Sequence, residues 1–414
     1  MSSPERIVIV GAGQAGFQSA ASLRELGFGG SIVFVGDECE PPYQRPPLSK
    51  GFLKDGADPD TLSFRASSFY GDRRIELLTG RRAAAIDRLK QSVVMESGEQ
   101  LRYDHLILAV GARNRPIRVP GSERIGVHQL RTIEHAVHLR RDLGRASRVV
   151  VIGAGFIGLE FAAVAAERGV DITVIETANR PMARAVSVEA SRFFHADHAR
   201  RGVRFAFDSE VVAIHGPDDR VGEVETADGR RFAADLVVVG IGVIPNSELA
   251  AAAGLAVANG IVVDDRLATS DPAISAIGDC ASHPSDFADC AVVRIESVQN
   301  AIDQARAVAA RLLGRPRRYD SVPWFWSDQG PHKLQIAGLA VSHDMTVSLG
   351  NPEASAFSVL CFRADRLVAV ESVNRPADHM AARKLLASGA RPSVGEATAP
   401  GFDLKAYLRS GGQI

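Results

Sequence analysis

No two cysteines in this 414-residue chain lie close together: Cys39, Cys280, Cys290 and Cys361 are scattered, and no C-x-x-C run occurs. That spacing signals neither a zinc site nor a redox-active dithiol, and isolated thiols suit a reducing compartment. A charge excess of either sign is also missing. With 48 basic and 49 acidic side chains the net charge is -1, so no overall field draws the chain to nucleic acid or to an anionic membrane. Long apolar runs are absent too. The most apolar segments, such as residues 236–244, fall far short of the ~20 residues a spanning helix needs. The sequence runs almost directly into Ile7-Val8-Ile9-Val10 without a basic start, signal core and cleavage site, and the expectation is a cytoplasmic protein that is not exported.

What is present is ordinary for a globular chain: 46% hydrophobic and 23% charged residues. At roughly 150 residues per domain, the length predicts two or three domains. Short β-branched runs alternate with alanine-rich stretches, which predicts an α/β architecture with largely parallel sheets. One pattern recurs: the strand Ile7–Val10 followed by Gly11, and the strand Val149–Ile152 followed by Gly153. Strands ending in a glycine turn with a nearby proline mark boundaries near Arg113-Asn114-Arg115-Pro116 and near Gly242-Val243-Ile244-Pro245. The second unit is therefore expected to be inserted into the first. The expected domains are 1–114 with 244–320, then 115–243, then a C-terminal domain over 321–414 with a late helix around residues 377–387.

The first glycine loop, Gly11-Ala12-Gly13-Gln14-Ala15-Gly16, follows an apolar strand and opens a helix that stops near Gly27. In such G-x-G-x-x-G loops the glycines permit a tight turn and close approach of a pyrophosphate, while the helix N-terminus offers N–H groups and a positive dipole end. A second strand, residues 32–35, ends at Gly36-Asp37-Glu38, where Asp37 is the choice for an adenosine ribose and Glu38 the alternative. The second loop, Gly153-Ala154-Gly155-Phe156-Ile157-Gly158, repeats the arrangement, with Glu176 ending the next strand. Glu176 suits the free ribose hydroxyl of NAD and would repel the extra phosphate of NADP, although Arg180 lies near in sequence. Two cradles imply two dinucleotides.

Between the first acid and the next strand stands Pro42-Tyr43-Gln44-Arg45-Pro46-Pro47-Leu48-Ser49-Lys50. Further on come Leu106-Ile107-Leu108-Ala109-Val110-Gly111-Ala112, Leu130-Arg131-Thr132, Ala276-Ile277-Gly278-Asp279 and Val322-Pro323-Trp324-Phe325-Trp326-Ser327-Asp328-Gln329. With the two cradles, in this order and over essentially the full length, these segments resemble the FAD-dependent ferredoxin reductases of the glutathione-reductase superfamily, the putidaredoxin-reductase-like group. The resemblance implies two Rossmann-like dinucleotide-binding domains and a C-terminal α+β domain. It assigns FAD to Gly11, Gly13, Ala15, Gly16, Asp37, Arg45, Pro46, Lys50, Ala83, Ala109, Gly111, Arg131, Asp279, Trp326 and Val298, the last placed just before a helix. It assigns NAD to Gly153, Gly155, Phe156, Ile157, Gly158, Glu160, Glu176 and Gly242.

The implied activity is hydride transfer from NADH to FAD, then single-electron transfer to a 2Fe–2S ferredoxin feeding an oxygenase. Lys50 and Glu160 are the expected catalytic pair, Lys50 tuning the flavin as a nearby cation. Alternatives with much the same motif order are a rubredoxin or monodehydroascorbate-type reductase, or a slow NAD-sensing flavoprotein. Disulfide-reducing relatives carry two close cysteines after the first acid; none stands here. Acidic ferredoxins call for a basic docking face, for which Arg306, Arg311, Arg315, Arg317 and Arg318 are the candidates, with Arg65, Lys333, Arg383 and Lys384 as further members. His195 and His198 share a helical face, but no third ligand stands near; the expectation is an exposed face and no metal.

Overall fold

The computed structural model describes residues 4–340 and 343–411. The chain forms two compact units, one of residues 1–44, 62–113 and 244–325, the other of residues 45–61, 114–243 and 326–414.

The first unit is built on a five-stranded parallel sheet in the spatial order Ile274–Ala276, His105–Leu108, Arg6–Val10, Ser31–Val35, Ile75–Leu78. Its central strands are apolar on both faces because both are covered, as parallel sheets require. Helix Gln14–Glu25, whose buried residues include the small Ala15, Ser19 and Ala20, packs against helix Val298–Leu312. A three-stranded antiparallel sheet, Ala83–Asp87, Ser92–Met95 and Gln100–Arg102, completes this side.

The second unit repeats the plan. Its parallel sheet runs Arg204–Ala206, Asp171–Ile175, Arg148–Ile152, Leu236–Val239, Val127–Gln129. The strand Asp171–Ile175 stops just before Glu176, and the helix Phe156–Glu167 follows the second glycine loop. The C-terminal part is an antiparallel sheet of His332–Gly338, Arg366–Val373, Ala356–Arg363 and Met345–Asn351, with Trp324–Gln329 on its edge. Helix Pro376–Ser388 buries Ala381, Ala382, Leu385 and Leu386 against it. Proline at its start and a left-handed Gly389 at its end set its limits. This is the expected fold class: parallel Rossmann-like cores with a C-terminal sheet domain. Among the described residues no helix is long and apolar enough to cross a membrane.

Burial in the first sheet has a measurable consequence. His105 is 5% exposed, its Nε2 is 2.8 Å from Ser275 Oγ, and burial, helped by the Arg311 guanidinium, pushes its pKa down to about 3. The unfolded chain therefore takes up this proton first, and the stability it withholds is present above pH 6.5 and lost as pH falls toward 3. Between pH 7 and pH 5 the loss amounts to about 2 kcal/mol. In urea unfolding, His105→Gln should lose that much less than wild type over this interval; equal losses would exclude His105 as a source of acid sensitivity.

Candidate functional site

Both glycine loops close in the same way. Gly11 N donates to Val35 O and Gly153 N to Ile175 O, each at 2.8 Å, so each loop is hung from the end of the neighbouring strand. Gly11 and Gly153 take φ of +110° and +101°, and a Cβ there would lie 2.2 Å from Ala109 O and 2.6 Å from Gly240 O. A Cβ at Gly16 would fall 2.0 Å from Gly11 O, and one at Gly158 2.3 Å from Gly153 O. These four glycines serve the fold itself.

The middle glycines do not. A Cβ at Gly13 meets nothing within 4 Å, and one at Gly155 meets only Gly240 O at 3.9 Å. Both stand at the N-cap of their helix in extended conformation, without a side-chain cap. Helices of comparable length are capped by Thr132, Ser187 and Ser297. The open space at these two termini and the lack of a side-chain cap fit an anion held from outside the chain. On this observation both loops suit a dinucleotide pyrophosphate.

Around the first loop, Gly278 (φ +74°) passes against the helix, where a Cβ would lie 3.1 Å from Ala15 Cβ. The Asp279 carbonyl accepts from Arg294 Nη1 at 3.0 Å. Asp37 is exposed, whereas Glu38 accepts the Tyr43 hydroxyl at 2.5 Å. Ala109 N donates to Val10 O, and Gly111 O accepts from Asn246 N, which fixes the turn after the strand. Ala83 opens the strand Ala83–Asp87. Val298 is the first residue of its helix rather than lying before it, because Ser297 is the cap.

In the second unit, Glu176 accepts from Ala154 N at 2.7 Å and from Ala178 N at 2.9 Å, so it ties the strand end to the glycine loop. Arg180 is committed to the carbonyls of Ala183, Val186 and Ser187 and is not spare for a phosphate. Sequence reasoning missed Arg184: exposed, it places Nη2 3.9 Å from the Cβ position of Gly242. Arg45 Nη1 donates to Arg131 O at 2.9 Å, anchoring the turn Pro46–Ser49. Ile157 is 45% exposed beside Gly155, while Trp326 is partly buried on its strand.

Lys50 and Glu160 are brought together. Lys50 Nζ is 2.9 Å from Glu160 Oε2, with side chains 20% and 2% exposed. Ser49 Oγ donates to the same oxygen at 2.5 Å, and Ser327 Oγ donates to Oε1 at 2.6 Å. A carboxylate taken out of water needs such partners, and here it has three. It is not a solvated helix glutamate. Behind Ser327, Gln329 Nε2 donates to Ser327 Oγ at 2.8 Å and to Phe156 O at 3.2 Å.

Two further expectations are corrected. His198 does not lie on an exposed face: it is 1% exposed, and burial pushes its pKa down to about 4. His195 packs edge-on against Phe205 and Phe207. Among the described residues no group of three ligands for a metal occurs. Arg311 leaves the basic face: it turns inward to donate to Ser275 Oγ, and desolvation lowers its pKa. Arg318 is paired with Asp286 and Asp265, and Arg306 with Asp303, whereas Arg315 and Arg317 are exposed.

Residues 5–305 match the family model described as pyridine nucleotide-disulphide oxidoreductase, and residues 324–408 match that described as reductase C-terminal. The chain is 51% identical over 399 residues to rhodocoxin reductase of Rhodococcus erythropolis, covering 96% of this chain and 93% of that protein. The ferredoxin reductase for the CYP199A2 system from Rhodopseudomonas palustris superposes with a TM-score of 0.95 at 48% identity, covering 98% and 100% of the two chains. A covalent putidaredoxin reductase–putidaredoxin complex gives 0.95 at 39% identity, covering 99% of each chain.

Proposed function

Because this chain belongs to the pyridine nucleotide-disulphide oxidoreductase family, we propose that it oxidises NADH with a bound FAD and passes electrons singly to a 2Fe–2S ferredoxin feeding an oxygenase. The observation that carries this reading is the pair of uncapped glycine cradles with empty space at Gly13 and Gly155. FAD, when bound, supplies the chemistry that accepts two electrons and releases one at a time. The four cysteines are free, two of them buried and none paired, which supports delivery to an external carrier rather than to a dithiol. The names of relatives support a protein electron acceptor: rhodocoxin reductase, and putidaredoxin reductase in covalent complex with putidaredoxin.

The chain's own residues would act as follows. The first loop, with Asp37, Ala83, Ala109, Gly111, Asp279 and Val298, would hold FAD, as would Arg45, Pro46, Lys50, Arg131 and Trp326. The second loop, with Glu176 and Gly242, would hold NADH. The commitment of Arg180 to backbone carbonyls supports NADH over NADPH, since the extra phosphate would meet Glu176 without that partner. Lys50 would supply a fixed positive charge to the reacting flavin, held by Glu160. In domain terms, 1–114 with 244–320 would bind FAD, 115–243 NAD, and 321–414 would form the third domain.

The docking face we propose keeps Arg315 and Arg317, with Arg306 and Arg318 partly neutralised by acids. We also place the protein in the cytoplasm, which its free thiols support. The test is reduction of cytochrome c by NADH. The expected result is slow turnover alone and a large increase when a 2Fe–2S ferredoxin is added. An increase with rubredoxin but none with any ferredoxin would overturn the partner assignment.

A further inference from the structure

Gln329 is 1% exposed and spends its whole amide on neighbours from three different elements. Its Nε2 donates to the carbonyl of Phe156, the first helical residue behind the second glycine loop, and to Ser327 Oγ. Its Oε1 lies 3.1 Å from His198 Nε2, on helix Val188–Arg200. The Phe156 carbonyl can only accept, which fixes the amide orientation; the amide oxygen can only accept, so His198 carries its proton on Nε2. The other ring nitrogen, Nδ1, is buried without a hydrogen-bond partner, so a second proton there would find no acceptor, and burial favours the neutral form. Ser327, having accepted from Gln329, gives its own proton to Glu160 Oε1. Every donor in the series His198, Gln329, Ser327, Glu160 therefore points the same way. Lys50 and Ser49 close it from the other carboxylate oxygen.

We infer that Gln329 is a positioning residue of the nicotinamide-dinucleotide site, holding the Phe156 peptide of the second glycine loop directly and the Glu160 carboxylate through Ser327. The inference rests on the function proposed above and deepens it: the C-terminal strand sets the geometry of both the phosphate cradle and the Lys50–Glu160 pair. The two branches separate. Ser327 reaches Glu160 alone, whereas Gln329 reaches Glu160 and the loop. Loss of Ser327 takes away the donor to Glu160 Oε1 but leaves Phe156 held; loss of the Gln329 donor releases Phe156 and leaves Ser327 unsupported behind Glu160.

The experiment uses purified holoprotein and two readouts, NAD+ binding by calorimetry and flavin reduction by saturating NADH in stopped flow. Ser327→Ala should keep NAD+ affinity within about twofold while reduction slows about tenfold, since positioning losses of this size follow small misplacements. Gln329→Glu preserves size and the acceptor for His198 but removes both donations. It should weaken NAD+ binding and slow reduction, each by about tenfold. A Gln329→Glu protein that melts earlier but binds NAD+ and reacts as wild type would overturn the inference. Should that variant fail to fold, a wild-type reduction rate in Ser327→Ala would overturn it instead. Wild-type holoprotein that binds no NAD+ would sink the proposed function, a separate outcome.

Discussion

Gly13→Val should give a folded protein that purifies colourless, and Gly155→Val a yellow protein that NADH does not bleach. Neither added Cβ meets the chain at less than ordinary contact distance. The Cβ position is open at both sites, and φ is −82° and −79°, which valine adopts readily. What the side chain would fill is the space in front of two uncapped helix N-termini. A pyrophosphate displaced from there forfeits charge-assisted hydrogen bonds worth roughly 1.5–3 kcal/mol each, so two such losses weaken binding about a hundredfold or more. Circular dichroism and melting establish folding, and bound flavin is counted by absorbance after denaturation. Gly16→Val is the contrasting control, because its Cβ meets Gly11 O and the Phe34 ring at 2.8 Å or closer and should unfold the first unit. A Gly13→Val protein with full flavin would remove the first loop from FAD binding.

Lys50→Met should retain FAD and melt earlier, while the rate of its reduction by NADH falls about a hundredfold, the scale set by deleting one fixed donor from a developing negative charge. Removing Lys50 leaves the Glu160 carboxyl, 2% exposed, without its cationic partner, with Ser49 and Ser327 as its remaining partners. An uncompensated buried charge is destabilising in its own right. Adding Glu160→Gln to Lys50→Met separates the two effects: stability should recover while the slow reduction persists. Recovery of both would show that the pair serves the fold alone, and a wild-type rate in Lys50→Met would remove the lysine from the chemistry.

The fold was legible because its signals are local. Each cradle is a run of six residues between an apolar strand and a helix, and the same run recurs, so the repeat of β-strand, loop and helix could be read without knowing the contacts. The Lys50–Glu160 pair was reachable through motif resemblance, and the two groups meet at 2.9 Å across 110 positions of sequence. The remaining partners of Glu160 were not legible, because Ser327 stands 167 positions away and serine carries no periodic signal. Two errors had visible remedies. In helix Val298–Leu312 the buried residues Gln304 and Val308 precede Arg311 by seven and three positions, so helical phase already directs its side chain inward. In helix Val188–Arg200, His198 follows buried Phe194 by four positions and Ser191 by seven, and belongs to the same buried stripe. Tertiary burial, not composition, decided both.

An anaerobic titration of the purified protein, followed through its visible absorption, addresses the heart of this account: one dinucleotide stays bound, the other comes and goes, and a hydride crosses between them. One equivalent of NADH should bleach the yellow band fully and fast, with NADPH at the same concentration far slower. A preparation that is colourless and takes up no FAD, or a yellow one that NADH leaves unchanged, would contradict it.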